Sequence, residues 1–251
     1  MPTPSSDGRV AVGRASIYYA KFGDPQDPPV ILLHGGMGVS DHWSNQIPAL
    51  LDAGLNPIAI DSRGHGRSTR TDAVPTYAAM AKDVIAVMDE LKLARASLVG
   101  WSDGGEIALN IAVTNPERVA KLIVFGANYN AKGRKPRGSQ SSSTFRAYTA
   151  KCRADYQRLS TTPTQFDALV TWMLPIWRYA SDFRIDQLRG ISAPTLIVGA
   201  DHDELIALEH FKAMAALIPG GSAVIIHNAS HFAPWQAPEE FNAIVVKFLR
   251  P

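Results

Sequence analysis

Apolar and polar positions along the chain alternate between two periods. Short continuous apolar runs at 30–33, 57–60, 96–99, 122–125, 195–199 and 223–226 have the length and continuity of strands buried on both faces. Residues 15–22 mix β-branched and aromatic side chains and read as a further strand, closed by the turn cluster Gly23-Asp24-Pro25-Gln26-Asp27-Pro28-Pro29. Between these runs the apolar spacing becomes helical. Residues 43–51 look helical, 76–91 put Met80, Val84, Val87 and Leu91 on one face, and from Glu106 to Asn115 the apolar positions are Ile107, Ala108, Ile111 and Ala112. Residues 238–249 close the chain as a last helix. Strands alternating with helices predict parallel βαβ units in a sheet covered on both faces, with functional loops at the strands' C-terminal ends.

The pattern breaks between 128 and 189. A Gly/Pro/Ser stretch is followed by helical segments carrying Tyr148, Tyr156, Phe166, Leu169, Trp172, Met173, Trp177 and Tyr179. An insertion this long between two sheet strands predicts a lid or small helical cap. Any one of these aromatics serves to pack the cap; as a group they predict an apolar pocket, with Trp172 and Trp177 as candidate substrate contacts. The expected organisation is a core of residues 1–127 and 191–251 with a cap of 128–190.

Composition narrows the class. With 251 residues, 46% of them hydrophobic, the chain can bury one substantial core. A net charge of +2 leaves no electrostatic footprint for nucleic acid or an anionic membrane. The one basic run, Lys132, Arg134, Lys135 and Arg137, reads as a solvated loop. The single cysteine, Cys152, has no partner for a disulfide or a metal cluster, as in a reducing compartment. The first residues lack a signal-peptide pattern and no run is long enough to span a bilayer, so a cytoplasmic protein is expected. Neither a cofactor nor a metal is expected, and the oligomeric state is left open.

The chemistry gathers around Gly100-Trp101-Ser102-Asp103-Gly104, a G-x-S-x-G turn between an apolar strand and a helix. Such a turn requires small residues where backbones approach and pushes the Ser102 hydroxyl clear of the sheet. The Asp103 N–H, at the helix start, can donate to an oxyanion. A second donor is expected from the His34-Gly35-Gly36-Met37-Gly38 loop, with Gly36 favoured and Met37 next. A serine hydroxyl needs a base, and the base needs a carboxylate. Asp203 after one strand and His231 after the last supply them, with Asp201 and His227 as less favoured alternatives. His34 and His65 read as loop braces.

These residues, with Asp61-Ser62-Arg63-Gly64-His65-Gly66-Arg67-Ser68, make the chain resemble the α/β-hydrolase superfamily along nearly its whole length. The resemblance implies a mostly parallel eight-stranded sheet with helices on both faces and a helical cap inserted before the acid-bearing strand. Gly100 to Gly105 and Val124-Phe125-Gly126-Ala127-Asn128 look like the valacyclovir hydrolase-like enzymes. In that group the acid after the nucleophile is associated with a substrate α-ammonium group, which makes Asp103 a candidate specificity residue; a surface-facing acid at a helix N-terminus is the alternative. Met37 and Trp101 join the candidate substrate-binding set. Ala200 departs from the glycine that relatives often carry before the acid, and the cap shows no clear match. The expected activity is metal-free hydrolysis of a small carboxylic ester through an acyl-enzyme. Lactone hydrolysis, C–C bond hydrolysis, perhydrolysis and ligand capture with little turnover stay open on the same scaffold.

Overall fold

The computed structural model describes residues 2–136, 142–179 and 182–250, with the backbone alone at Tyr179. Arg137 of the basic run and the Tyr179 ring lie outside the described residues. In chain order the elements are β1 Ser6–Val12, β2 Ala15–Lys21, β3 Pro29–Leu33, α1 Gln46–Asp52, β4 Asn56–Ile60, α2 Tyr77–Glu90, β5 Ala96–Trp101, α3 Asp103–Thr114 and β6 Val119–Phe125. After β6 come α4 Ser143–Leu159, α5 Phe166–Tyr179 and α6 Ile185–Arg189. The sheet resumes with β7 Thr195–Ala200, α7 Leu208–Leu217, β8 Ser222–Ile226, α8 Ala233–Gln236 and α9 Pro238–Leu249.

All eight strands form one sheet in the order β1-β2-β4-β3-β5-β6-β7-β8. The pairs β1–β2 and β2–β4 are antiparallel, and every pair from β4–β3 to β7–β8 is parallel. This is the α/β-hydrolase architecture. Continuous apolar runs become the central strands because both faces are covered: Ile31, Leu32, Leu33, Leu98, Leu122, Ile123, Val124 and Ile197 are fully buried. Each such side chain contributes about 1.5–3 kcal/mol of burial.

Three local features depart from the pattern reading. β1 is an edge strand with no residue fully buried, so it carries no apolar signature; the hairpin register from Ser6↔Lys21 to Val12↔Ala15 makes it a strand. The segment 43–51 splits into a short 3₁₀ turn, Ser40–Trp43, and α1. Pro48, which lacks an N–H, is best accommodated in a first helical turn, and it stands at the third position of the α-helix that starts at Gln46. α7, absent from the elements predicted above, follows the acid-bearing loop and buries His210, Phe211, Met214 and Ala215.

Register places the site. Leu33 lies opposite Gly100, Trp101 opposite Phe125, Phe125 opposite Val198 and Ala200 opposite Ile226. Strands β3, β5, β6, β7 and β8 therefore end at one rim. The loops carrying Gly36, Ser102, Asp203 and His231 all leave from it.

Candidate active site

Ser102 sits at φ 54 and ψ −118, a backbone conformation that costs a residue with a Cβ about 1–3 kcal/mol. Its surroundings hold it there. The Ser102 N–H donates to the Phe125 carbonyl at 2.8 Å, and the Ser102 carbonyl accepts from Gly105 at 2.7 Å and Glu106 at 3.1 Å. A Cβ on Gly104 would stand 2.0 Å from the Leu33 carbonyl oxygen, and one on Gly100 2.3 Å from that of Gly104. Only glycine permits the crossing that the motif predicts.

In the preceding loop the Gly35 carbonyl accepts from the Gly38 N–H at 3.0 Å and from His34 Nδ1 at 2.7 Å. The Gly36 N–H belongs to the same peptide and so points the other way. Among the described residues no backbone carbonyl takes up the Gly36 or Asp103 N–H. The Met37 N–H, by contrast, donates to His65 Nε2 at 3.2 Å, which leaves Gly36 as the loop's open donor. His34 Nε2 accepts from the Ser62 N–H at 3.0 Å, and His65 Nδ1 donates to the Arg63 carbonyl at 3.0 Å. Both histidines brace loops.

Burial pushes the imidazole of His34 down to about 3 and that of His65 down to about 4, the latter helped by His34 beside it. His210 is pushed down to about 4 by burial alone. A folded-state pKa below the ordinary 6.5 means that the unfolded chain binds protons the folded chain does not. Their stabilising effect is fully present above pH 6.5 and is lost as pH falls toward 4. The raised pKa values of His231, Glu106 and Asp83 act in the opposite sense, but His42 is lowered by burial as well, so four buried imidazoles stand against them. Urea midpoints are accordingly expected to be lower at about pH 5 than at about pH 7.5; an equal or higher midpoint at the acid end contradicts these assignments.

Asp203 is fully buried. Its Oδ1 accepts from the Leu205 and Ile206 N–H groups, each at 2.8 Å, and its Oδ2 accepts from His231 Nδ1 at 2.8 Å. The His231 backbone is fixed as well: its N–H donates to Glu204 Oε2 at 3.0 Å and its carbonyl accepts from Trp101 Nε1 at 2.9 Å. Burial opposes charge on His231, but the Asp203 carboxylate, with Glu204 and Asp103 farther off, carries its pKa net above the usual value. Asp201 pairs instead with the exposed His227 at 3.1 Å, apart from the cleft.

Ser102 and His231 line one cavity of about 500 Å³ together with Gly36, Met37, Trp101 and Asp103. No hydrogen bond joins Ser102 Oγ to His231 among the described residues. Such a bond commonly tightens only when substrate is bound. Helices α4 and α5 supply the apolar wall through Phe145, Tyr148, Phe166, Val170, Leu174 and Trp177.

The Asp103 carboxylate points into this cavity and not to the surface. Its Oδ1 accepts from Tyr77 Oη at 2.7 Å and its Oδ2 from Trp177 Nε1 at 2.8 Å. One helical turn on, Glu106 lines the same cavity. Burial, and then the Asp103 charge, push the Glu106 carboxyl well above the usual carboxylate range, with Arg134 opposing. Neither Tyr77 nor Glu106 stands out in the sequence, since each occupies the first turn of an amphipathic helix where any polar residue would fit.

Two expectations are corrected. Trp172 does not line the cavity: its indole N–H donates to the Ala73 carbonyl at 2.9 Å and its ring packs where a Cβ on Gly64 would sit, so it fastens α5 to the core. The basic run is not a solvated loop throughout. Arg134 and Lys135 line the cavity, with Lys135 Nζ donating to the Asp203 carbonyl at 2.6 Å and Arg134 donating to the Trp177 carbonyl. Trp101 touches the cavity, yet its buried ring mainly supports His231.

A model of the alpha/beta hydrolase family matches residues 30–244. The chain is 28% identical to a putative carbamate hydrolase, RutD, of a Caulobacter species, over 93% of this chain and 95% of that protein. It is 26% identical to the serine hydrolase BPHL of Mus musculus, over 99% and 88% respectively. A meta-cleavage product hydrolase from Pseudomonas fluorescens has the same fold, with a TM-score of 0.82 at 20% identity and 96% of both chains covered. Among the described residues no helix is long and apolar enough to cross a membrane.

Proposed function

The chain belongs to the alpha/beta hydrolase family, and on that premise we propose that it is a serine hydrolase cleaving small carboxylic esters through an acyl-enzyme. The observation that carries this reading is the Asp203–His231 pair at 2.8 Å, opening on the same cavity as the strained Ser102. Ser102 attacks the acyl carbon as His231 Nε2 takes its proton. Asp203 holds the Nδ1–H tautomer and stabilises the imidazolium. The Gly36 and Asp103 N–H groups receive the oxyanion. His231 then gives its proton to the leaving alcohol and activates the water that releases the acid.

Within that class, esters of amino acids suit the cavity. Asp103 is held by two neutral donors and has acceptor capacity left for an ammonium group in a partly desolvated place. A hydrolysis panel pairs amino-acid p-nitrophenyl esters with their N-acetylated forms and includes a simple lactone. Free-amine esters are expected to show a kcat/KM at least about tenfold higher, the worth of one charged hydrogen bond, and Asp103→Asn to erase that preference. Equal rates for free and blocked amines remove the side chain of Asp103 from recognition. Mass mapping of a fluorophosphonate adduct tests the class itself: the label is expected on the Ser102 peptide, and no label with no ester turnover refutes it.

A further inference from the structure

Residues 35 to 38 form a tight turn closed by the Gly38 N–H on the Gly35 carbonyl at 3.0 Å. Its third residue, Met37, has φ 64. This is the left-handed region that such turns require there and that glycine or asparagine usually fills. The turn is therefore not self-sustaining in this sequence. Turning over the Gly36–Met37 peptide would relieve Met37, exchanging the directions of the peptide's carbonyl and N–H.

That peptide is grasped on both edges. Tyr148 Oη, from α4 and 112 positions away, donates to the Gly36 carbonyl at 2.6 Å. The Met37 N–H donates to His65 Nε2 at 3.2 Å. A turned-over peptide would lose both bonds and bury two unsatisfied groups, each costing about 1–3 kcal/mol. The seat of Tyr148 is itself fixed to the core: His42 Nε2 donates to Asp155 on α4 at 3.0 Å, and Arg158 on α4 donates to Asp41 at 2.8 Å. Burial holds the Tyr148 phenol well above its usual pKa, so it keeps its donor proton.

We propose that Tyr148 is a positioning residue of the oxyanion hole: from helix α4 its hydroxyl, with His65 on the opposite edge, pins the peptide that follows Gly36, as Gly38 and His34 pin the one before it at the Gly35 carbonyl, so that Gly36 and its cavity-facing N–H are fixed from both sides. Half of that clamp is in place only with α4 seated, which makes α4 part of the chemistry as well as a wall of the pocket. The inference rests on the reading of Ser102 as nucleophile.

Steady-state kinetics of the full chain on p-nitrophenyl acetate test it. Tyr148→Phe is expected to lower kcat on the order of tenfold, less than the roughly 10²-fold loss from deleting a donor outright, with KM within about twofold. Inhibition by phenylboronic acid, whose tetrahedral adduct uses the hole, should weaken by a similar factor. The pH midpoint of kcat should stay in place, since His231 is untouched. Where Tyr148→Phe does not fold, Asp155→Ala loosens α4 from outside the cavity and is expected to give the same loss in kcat. Unchanged kcat and boronate inhibition, or a loss confined to KM, overturns the proposal while leaving the hydrolase reading intact. A wild-type protein that takes up neither boronate nor fluorophosphonate overturns both.

Discussion

Ser102→Ala is expected to lower kcat on p-nitrophenyl acetate by on the order of 10⁶-fold and to abolish fluorophosphonate labelling, with melting close to that of the wild type. The two halves of this expectation have separate causes. Attack needs an oxygen whose proton His231 can accept, and alanine removes that oxygen while the Gly36 and Asp103 donors stay, so a small residual rate over water persists. Stability is spared because alanine keeps the Cβ, and with it the same backbone strain at φ 54. The Ser102 hydroxyl also makes no side-chain cap hydrogen bond that could be lost. The glycine crossings at 100 and 104 are indifferent to the change. Thermal melts run beside the kinetics separate a chemical effect from unfolding. Persistent labelling of the variant at a neighbouring residue removes Ser102 from the mechanism.

Asp203→Asn is expected to cost on the order of 10⁴ in kcat, and the hydrogen bonds at this carboxylate say why. Oδ1 accepts two backbone N–H groups, from Leu205 and Ile206. An asparagine must therefore keep its oxygen there and turn its NH₂ toward His231. That amide donates to Nδ1, which moves the imidazole proton to Nε2 and leaves no lone pair facing Ser102. The same exchange removes the charge that carries the His231 pKa upward. The acid limb of kcat/KM, which reports the loss of base as His231 protonates, should accordingly shift to lower pH along with the fall in rate. Asp201→Asn is the comparison, since Asp201 pairs with the surface His227; its rate should stay near that of the wild type. A reversal between the two variants would give the orienting role to Asp201.

The site was legible in the sequence wherever local chemistry dictates it. Gly100 and Gly104 are needed because backbones touch there, and Ser102, Asp203 and His231 each follow an apolar run that could only be a buried strand. The preference for Asp203 and His231 over Asp201 and His227 came from their depth in each loop, and the hydrogen bond at 2.8 Å falls between those two residues. The segment between β6 and β7 was legible as helices and not as contacts. Trp172 and Trp177 lie five positions apart on one helix, yet Trp172 fastens to Ala73 while Trp177 reaches Asp103. Composition treats the two alike, and only the seating of α5 on the core distinguishes them.

By itself the amino-acid sequence indicated most of the strands and helices in their order, though neither β1 nor α7, together with the strained serine turn and the chain order of Ser102, Asp203 and His231. These depend on period, on glycine and on residue type, and are therefore local. Tertiary structure alone decided that Tyr77 and Trp177 hold Asp103, that Tyr148 holds the Gly36 carbonyl, that Arg134 and Lys135 turn inward and that an unpatterned N-terminal segment becomes an edge strand. Each is a contact between groups distant in the chain, or a pairing supplied by a neighbour. The direction of a side chain there is set by how whole elements pack, which no stretch of residues encodes on its own.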